Sequence, residues 1–582
     1  MTFEVIGNQF IKDGKAIKII SGAVHYFRNM PDTWRDIFKK MKAMGLNCVE
    51  TYCAWNMHEK KPGEFDFKNN LDIAKFIKIA QDEDLMVIVR PGPYICAEWE
   101  FGGLPWWIQT DEEMEIRCSN KAYIRCFDRY LDRLFEEIRP LLFTNGGPII
   151  MMQCENEYGY YGDDREYLSY LRDGYIKRGI NVPLFTSDGT SESNILDGSV
   201  DGCFSTLNFG SRVKENFEAH DRLYPDAPKM CMEMWNGWFD AWGDDIHHTT
   251  SAEDYAIAVD DMLTKGSVNM YMFIGGTNFG FTSGANHYES FKPDVTSYDY
   301  DALLTECGDI TEKYIKIREI IQKHTNEALP EIPENRKKKA YGKVTLSQQA
   351  GIFENLSNLA SPIHSDVPRC MEYYKIGYGF IAYRTVLNRD YEDVVLHFDS
   401  LGDRAQIYIN NNFIGIVYIN ESLDIKISAK KGDILTVLCE NMGRANFGDK
   451  MMRKKGIAGR CLLDRKIHFG WDVYPLPMDN LSTLTFKNEA PQEESVFYKG
   501  YLNIDETFDT FIKLPDFTKG FVVINGFNIG RYWDIGPQVT LYVPASVLKK
   551  GENEIIIFES DGIKGVPEVE FCDKPILDKR CL

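Results

Sequence analysis

The sequence predicts a multidomain protein in which a (β/α)8 TIM barrel is followed by two jelly-roll-like β-sandwich domains. Three observations lead to this fold class: strand and helix patterns alternate eight times in the first part of the chain, polar residues follow many of the apolar strands, and the strand-rich remainder contains an internal repeat. Such a barrel needs roughly 250 residues, and more when its loops are long. With 582 residues the chain exceeds what one hydrophobic core supports, so several domains are expected.

The barrel is predicted over residues 1–328, beginning with a small hairpin at 1–13 that closes one of its ends. The eight predicted strands are KIISGAVHY, LNCVETY, LMVIVRPGPY, PIIMMQ, PLFTSD, GCFSTLNF, KMCMEMW and VNMYMFIGG. The predicted helices cover 32–44, 71–84, 121–142, 165–178, 213–223, 252–265 and 311–324, with a shorter connection after the fifth strand. An open doubly wound sheet is the alternative. A closed barrel is favoured because it brings together the polar residues that follow its strands, which are Tyr52, Glu98, Glu157, Asp188, Asn208 and Glu233.

The remainder of the chain is divided into a linker with the first strands of the β region at 329–374, a first β-sandwich at 375–485 and a second at 486–582. The division depends on the internal repeat. RAQIYINNNFIGIVY around Gly415 is similar to GFVVINGFNIGRYW around Gly530, and a KKG turn followed by an apolar strand comes after each copy. Two copies of one sandwich, each of roughly 100 residues, fit this spacing.

Composition excludes several classes of partner and cofactor. The chain carries 66 Lys and Arg against 87 Asp and Glu, a formal net charge of −21, and no basic block, so neither a nucleic acid nor a membrane surface is expected as a partner. The 14 cysteines show no CxxC pair, so no metal site and no disulfide framework is predicted. No cofactor is implied. Without a leader-like amino terminus or a long apolar stretch, the protein is expected to be cytoplasmic.

The stretch GGPIIMMQCENEYG, residues 146–159, combines a buried strand with polar residues at its end. Carboxylates at such a position are costly unless they are hydrogen-bonded or catalytic. Glu157 follows the fourth strand and Glu233 ends the seventh, so a closed barrel would let them face each other. Paired carboxylates are the arrangement of retaining glycosidases, and a structural ion pair is the alternative for either residue.

The same stretch resembles the signature of glycoside hydrolase family 35, the β-galactosidases. The resemblance extends to ISGAVHYFR, GLNCVETYCAWNMHE, RPGPYICAEWEFGGLPWW, YMFIGGTNFG and TSYDYDALLTE, and so covers essentially the whole barrel. It implies that Glu157 is the acid/base and Glu233 the nucleophile, and that Asn156 binds the sugar 2-hydroxyl. It also implies a galactose pocket lined by Tyr52, Cys96, Ala97, Glu98 and Tyr300, with Tyr271 and Tyr298 as further candidates.

Aromatic residues around these positions carry further expectations. Trp235, Trp238 and Trp242 follow the proposed nucleophile and are candidates for a sugar-stacking wall, with loop packing as the alternative. Tyr300 is expected to donate a hydrogen bond to Glu233. In the β region, Trp471 and Tyr474 are the aromatics expected nearest the barrel mouth.

The resemblance therefore implies an exo-acting, retaining β-galactosidase that removes terminal β-linked galactose from oligosaccharides or glycoconjugates. An exo-glycosidase for another sugar, such as glucosamine, and a non-catalytic carbohydrate-binding protein are the alternatives. The second sandwich is expected to be galactose-binding-like. The compact length and the amino terminus suggest a bacterial, intracellular member of the family, and a homo-oligomer is left open. Cys154 departs from the family pattern, in which an aliphatic residue is more usual.

Overall fold

The computed structural model describes residues 2–326, 328–489, 491 and 495–581. A closed barrel of eight parallel strands occupies the amino-terminal part and confirms the predicted fold class. The strands follow one another in chain order, and the eighth pairs with the first to close the barrel. In this order they are Ile20–Val24, Cys48–Tyr52, Met86–Arg90, Ile149–Gln153, Leu184–Asp188, Phe204–Asn208, Met230–Trp235 and Ser267–Ile274.

The barrel strands are covered on both faces, by side chains in the interior and by helices outside. Every residue of Met86–Arg90 and of Ile149–Gln153 is buried, which explains why these strands are continuous apolar runs in the sequence. Each of the two runs ends in a polar residue, Arg90 or Gln153. Polar side chains are therefore concentrated at the carboxyl ends of the strands, where the loops of such barrels carry their sites.

The outer helices lie close to their predicted positions. They are Trp34–Met44, Ile73–Asp82, Lys121–Ile138, Arg165–Lys177, Glu192–Gly198, Val213–Asn216, Glu218–Leu223, Ala252–Lys265 and Glu312–Thr325. Side chains of Asp72, Asn120 and Asp164 accept hydrogen bonds from free backbone N–H groups at three of the helix starts. The single helix predicted over 213–223 is instead two short helices that meet at Phe217.

The amino-terminal hairpin is a three-stranded sheet formed by Phe3–Ile6, Gln9–Lys12 and Lys15–Ile17. Phe3 and Phe10 are buried, and their rings contact Phe143 and Phe204 respectively. Phe143 precedes the fourth barrel strand and Phe204 begins the sixth. The sheet therefore packs against the end of the barrel opposite the polar strand ends.

Two β-sandwiches follow the barrel. The larger sheet of the first consists, in spatial order, of Ile363–Ser365, Trp471–Leu476, Phe380–Val386, Ile434–Glu440, Arg404–Ile409 and Asn412–Tyr418. Its smaller sheet consists of Asp424–Ala429, Tyr391–Phe398, Cys461–Leu463 and Lys466–Ile467. The second sandwich has a sheet of Gln348–Gly351, Val496–Ile504, Gly551–Glu559, Lys519–Ile524 and Phe527–Trp533. Its other sheet consists of Gly342–Thr345, Glu568–Cys572, Thr510–Lys513 and Thr540–Val543.

The internal repeat corresponds to one hairpin in each sandwich. In both copies a later strand, Ile434–Glu440 or Gly551–Glu559, pairs with the first strand of the hairpin. The second sandwich also takes up Gly342–Thr345 and Gln348–Gly351, which precede the first sandwich in sequence. It is therefore discontinuous in the chain, and the strands of 329–374 do not all belong to the sandwich that follows them.

The expectation for the two β-region aromatics is wrong. Trp471 is fully buried in the core of the first sandwich, where its indole N–H donates to the carbonyl of His468. Tyr474 packs in the apolar layer between the two sandwiches, beside Phe380 and Phe558. Alternation along a strand sends the side chains of a sandwich either to its core or to a neighbouring sheet, and neither of these two reaches the barrel mouth.

A buried arginine joins the barrel to the first sandwich. The Arg444 guanidinium donates to Glu100 at 2.7 Å and Gln109 at 2.6 Å on the barrel side, and to Glu372 at 2.5 Å on the sandwich side. All three ionised side chains are fully buried. A buried cation with two buried carboxylates is stable only as a complete set, because each charge left alone has lost its water.

We predict that Arg444→Met weakens the docking of the first sandwich on the barrel. The variant leaves Glu100 and Glu372 buried without their cation, which costs about 3–5 kcal/mol of stability. Thermal unfolding followed by circular dichroism should show an earlier transition. The matched control is Arg460→Met, which removes an exposed pair with Asp399 and should leave the melting curve unchanged. Equal curves for the two variants would contradict this role of Arg444.

Candidate active site

The polar ends of the barrel strands converge on one buried cluster of side chains. Tyr52 ends the second strand, Arg90 the third and Asn208 the sixth, while Glu233 lies near the end of the seventh. Glu157 lies in the loop that follows the fourth strand. These five residues come from strands that are distant in sequence, and only closure of the barrel brings them together.

Glu233 is held by three donors. Its Oε1 accepts from the Tyr52 hydroxyl at 2.9 Å and from Arg90 Nη2 at 2.6 Å, and its Oε2 accepts from the indole N–H of Trp235 at 3.2 Å. The expectation that Tyr300 donates to Glu233 is wrong, because in the described residues no hydrogen bond joins the two. Tyr300 instead packs edge-on against Tyr271, with ring centroids 5.5 Å apart. The hydrogen bonds from Tyr52, Arg90 and Trp235 are charge-assisted, and they fix the orientation of the Glu233 carboxylate.

Arg90 connects the two halves of the cluster. Besides Glu233, its guanidinium donates to Gln153 Oε1 at 2.6 Å and to the side-chain oxygen of Asn156. The plane of the guanidinium lies over the Tyr52 ring, 3.8 Å from the centroid. The side chain is buried, so these contacts replace the water that the cation has lost.

Glu157 lies in a different environment. Its Oε1 accepts from Asn208 Nδ2 at 3.0 Å, and Asn208 in turn accepts from the Ser187 hydroxyl at 2.6 Å. Asn208 also lies opposite Glu233 in the pairing of the sixth and seventh strands. The same residue therefore binds Glu157 and neighbours Glu233. Burial, followed by repulsion from the Glu233 carboxylate, raises the pKa of Glu157 to about 7. Glu157 can therefore hold a proton near neutral pH.

Glu155 is a structural residue. Arg117 binds its carboxylate through two parallel bonds of 3.0 and 2.8 Å, and the Tyr167 hydroxyl donates to it at 3.0 Å. The backbone N–H of Asn156 also donates to it, at 2.6 Å. Both Glu155 and Glu157 adopt left-handed backbone conformations, with φ of 56° and 45°. The bonds to Glu155 hold the backbone in this costly conformation. As a result Glu155 binds Arg117 while Glu157, two residues later, binds Asn208.

The loop after the third strand lines the opposite side of the cluster. Glu98 Oε2 accepts from the Tyr298 hydroxyl, and burial raises the pKa of Glu98 to about 7. The Tyr271 hydroxyl donates to the backbone carbonyl of Cys96 at 3.3 Å and lies 3.3 Å from the Tyr298 hydroxyl. Ala97 is buried, and its carbonyl accepts from Arg28. Of the predicted galactose-pocket residues, Glu98, Tyr298, Tyr271 and Cys96 are thus joined by hydrogen bonds.

The three predicted tryptophans separate into different environments. Trp235 binds Glu233, and Trp238 packs edge-on against Trp235 with 43% of its surface exposed. An exposed indole beside the carboxylate can stack on a sugar face. Trp242 is buried, and its backbone N–H donates to Pro293. The described residues show no contact between Trp242 and Glu233, so nothing in them supports Trp242 as part of a sugar-stacking wall.

Buried donors of the cluster without a hydrogen-bond partner within the described residues include Arg90 Nη1, which lies 3.8 Å from a Glu50 carboxylate oxygen, and Asn156 Nδ2. Asn156 Nδ2 is inaccessible to solvent and makes no hydrogen bond, whereas its Oδ1 accepts from Arg90 and Gln153. An unpaired buried amide N–H costs roughly 1–3 kcal/mol, so a ligand oxygen that accepts from it would recover that energy. Asn156 Nδ2 can therefore donate to a hydroxyl oxygen of a ligand.

The described residues contain no group of three or more His, Cys, Asp or Glu side chains arranged to hold a metal ion. The neighbouring His247 and His248 both bind Asp240, at 2.6 and 2.8 Å. His25 is buried with its Nδ1 facing Arg28, and burial followed by this cation lowers its pKa well below the usual value, so the ring is neutral.

Arg90 was not predicted from the sequence, and Asn208 was named only as a polar strand end that a closed barrel brings together, without a role in the site. Arg90 ends the apolar run LMVIVR, and Asn208 ends CFSTLN, so both carry the signal that identified Glu157, a polar residue at the end of a buried strand. Applying that criterion to the third strand as well would have found Arg90. The hydrogen-bond partners of Arg90 and Asn208 come from other strands and cannot be assigned from sequence spacing.

The chain is similar to known proteins over nearly its whole length. Residues 9–324 match the model of "Glycosyl hydrolases family 35", residues 368–477 that of "Beta-galactosidase, first all-beta domain", and residues 495–553 that of "Beta-galactosidase, galactose-binding domain". Beta-galactosidase from Bos taurus is 40% identical over 98% of this chain and 93% of its own length. Beta-galactosidase from Homo sapiens is 38% identical over 98% of this chain and 90% of its own, and beta-galactosidase 1 from Dictyostelium discoideum is 37% identical over 96% and 91%. The chain belongs to glycosyl hydrolase family 35.

Proposed function

We propose that the protein is an exo-acting, retaining β-galactosidase that hydrolyses terminal β-D-galactose by double displacement. The observation that carries the proposal is the unequal environment of two neighbouring buried carboxylates. Glu233 is paired with the Arg90 cation, whereas Glu157 contacts the neutral amide of Asn208 and has its pKa raised to about 7. Two carboxyl groups with such different surroundings can divide the roles of nucleophile and acid.

In the first step the Glu233 carboxylate attacks the anomeric carbon while the Glu157 carboxyl protonates the departing oxygen. The Tyr52, Arg90 and Trp235 donors orient the nucleophile. In the second step Glu157, now ionised, takes a proton from water, which displaces Glu233 from the sugar. The elevated pKa of Glu157 suits both duties, because the group can give and take a proton near neutral pH.

Recognition of the sugar is assigned to the groups that surround this pair. The free Asn156 Nδ2 would donate to the 2-hydroxyl, where hydrogen bonds strengthen in the transition state. Glu98, fixed by Tyr298, would accept from hydroxyls at the other side of the ring. Trp238 offers an exposed indole for the face of the sugar or of the leaving group. The relatives named above are called beta-galactosidases, which supports galactose as the substrate.

The cellular setting belongs to the proposal as well. All fourteen cysteines are free thiols, which is typical of a reducing compartment and supports a cytoplasmic protein. Among the described residues no helix is long and apolar enough to cross a membrane. A bacterial origin stays a prediction, and the three relatives named above are eukaryotic. Cell fractionation with an antibody against the native protein would test the compartment.

Substrate and stereochemistry are tested together. We expect an aryl β-galactoside to be hydrolysed much faster than the matching aryl β-glucosaminide. Because two inversions restore the configuration, the first galactose observed by proton NMR should be the β anomer. Faster cleavage of the glucosaminide would favour the alternative sugar. Initial release of the α anomer would contradict double displacement, and galactose binding without turnover would favour a carbohydrate-binding protein.

The two carboxylates are expected to respond differently to amide replacement. Glu233→Gln should abolish turnover, because an amide cannot form the glycosyl-enzyme. Glu157→Gln should lower kcat/KM by about 10²–10⁴-fold on a disaccharide, and much less on an aryl galactoside whose leaving group needs little protonation. Glu559→Gln, at a buried carboxylate of the second sandwich, is the matched control and should leave turnover intact. Equal losses on both substrates would contradict the acid/base role.

The pH profile is expected to report the proton on Glu157. Since burial raises its pKa to about 7, the acid form is present below that pH and lost above it, so kcat/KM should fall on the alkaline side of about 7. The Asn208 N–H stabilises the ionised form, so Asn208→Leu should raise this pKa and shift the alkaline limb to higher pH. An unshifted limb in the variant would show that Glu157 does not control it.

A further inference from the structure

Two thiols lie against each other beneath the acid/base loop. The Cys203 thiol donates to the Cys154 sulfur, and the two Sγ atoms are 3.9 Å apart although 49 residues separate them in the chain. Cys154 immediately precedes Glu155, Asn156 and Glu157, and Cys203 precedes the sixth barrel strand, which carries Asn208. The pair thus joins the bases of the two segments that position the proposed acid.

The two thiols differ in access. Cys154 is 1% exposed, and burial raises its pKa well above that of a free thiol. Cys203 is only partly buried and lies in a turn at the surface of the barrel. The Arg172 cation approaches the pair and donates to the backbone carbonyl of Asp201 in that turn. Cys203 is the more accessible of the two thiols, so a soluble oxidant would meet Cys203 first and Cys154 would react second.

We propose that Cys154 and Cys203 form an oxidation site at which a hydroperoxide produces a reversible disulfide that suppresses turnover. The Cys203 thiolate attacks the peroxide oxygen, which gives a Cys203 sulfenic acid and releases water or an alcohol. The Cys154 thiol then loses its proton as its sulfur attacks the Cys203 sulfur, and hydroxide leaves to form a second water. Two thiols are oxidised to one disulfide, and one peroxide bond is reduced.

The bond requires the two sulfur atoms to approach each other at the strand end that carries the site. A disulfide has sulfur atoms about 2.05 Å apart, so the pair must close by roughly 1.9 Å from its present separation of 3.9 Å. Cys154 is tied to the neighbouring strand by its backbone N–H, which donates to the Phe185 carbonyl at 2.8 Å. Any part of the closure that rotation of the two side chains does not supply would displace the residues that follow Cys154. Asn156 is two positions away, and its Oδ1 is bound to Arg90.

The effect on turnover rests on the proposed function, whereas formation of the cross-link does not. A displacement of about 1 Å at a reacting group can cost up to about 100-fold in rate. We expect the oxidised protein to lose about tenfold or more of its kcat on an aryl galactoside and to recover when dithiothreitol is added. Because Cys96 lies in the site itself, its oxidation could also inhibit, so the experiment must separate the two positions.

The test treats the full-length protein with hydrogen peroxide and maps its peptides by mass spectrometry without reduction. The expected product joins the Cys154 and Cys203 peptides with the loss of two hydrogens, together with a kcat loss that dithiothreitol reverses. Cys203→Ser and Cys154→Val should each abolish the cross-link and the reversible loss. Cys118→Ser, at another partly buried thiol, is the matched control and should keep both.

Each outcome decides one part of the proposal. A wild-type protein that shows no joined peptide after peroxide treatment would overturn the oxidation site, whatever its activity. A joined peptide without any change in kcat would overturn the suppression of turnover. Reversible inhibition that persists in Cys203→Ser would assign the effect to another thiol, such as Cys96. Failure of the untreated protein to hydrolyse galactosides would instead refute the proposed function, and the peptide map would still report the cross-link.

Discussion

The buried guanidinium of Arg90 is the constraint around which the rest of the site is arranged. A buried cation without partners would cost several kcal/mol, so its position determines where carboxylate and carbonyl oxygens must lie. Glu233 and the side-chain oxygens of Gln153 and Asn156 occupy those positions, and Tyr52 covers the guanidinium face. One cation from the third strand thereby orients groups on the second, fourth and seventh strands. Closure of the barrel brings these groups close together, and the contacts of Arg90 fix their orientations.

The same cation makes the two proposed catalytic carboxylates unequal. Glu233 contacts it directly, whereas Glu157 contacts the Asn208 amide, and burial raises its pKa to about 7. Backbone strain accompanies this arrangement: the left-handed non-glycine residues include Glu98, Glu157 and Tyr300, all beside the cluster. Such conformations persist where surrounding contacts outweigh their cost, and their concentration at one place is typical of a functional site.

The sequence predicted the barrel well because its strands are buried on both faces, which leaves continuous apolar runs with polar ends. Placement of Glu157 and Glu233 at those ends followed from the same pattern. Contacts between side chains did not follow: the donors to Glu233 are Tyr52, Arg90 and Trp235, where Tyr300 had been expected. Nor did the sequence reveal that Gly342–Thr345 and Gln348–Gly351 join the second sandwich, since strand pairing across more than a hundred residues leaves no local signal.

The first sandwich is part of the site's support. Next to Arg444, which binds the barrel through Glu100, the backbone carbonyl of Asn446 accepts from the Tyr94 hydroxyl at 2.9 Å. The Tyr94 ring covers the Arg117 guanidinium, 3.7 Å from its centroid, and Arg117 clamps Glu155. A continuous set of buried contacts therefore runs from the sandwich to the bend that carries Glu157. Since each contact is desolvated and specific, loss of the sandwich would release the clamp as well as expose the barrel surface. Both proposed catalytic residues belong to the barrel, and contacts from the first sandwich support the segment that positions Glu157.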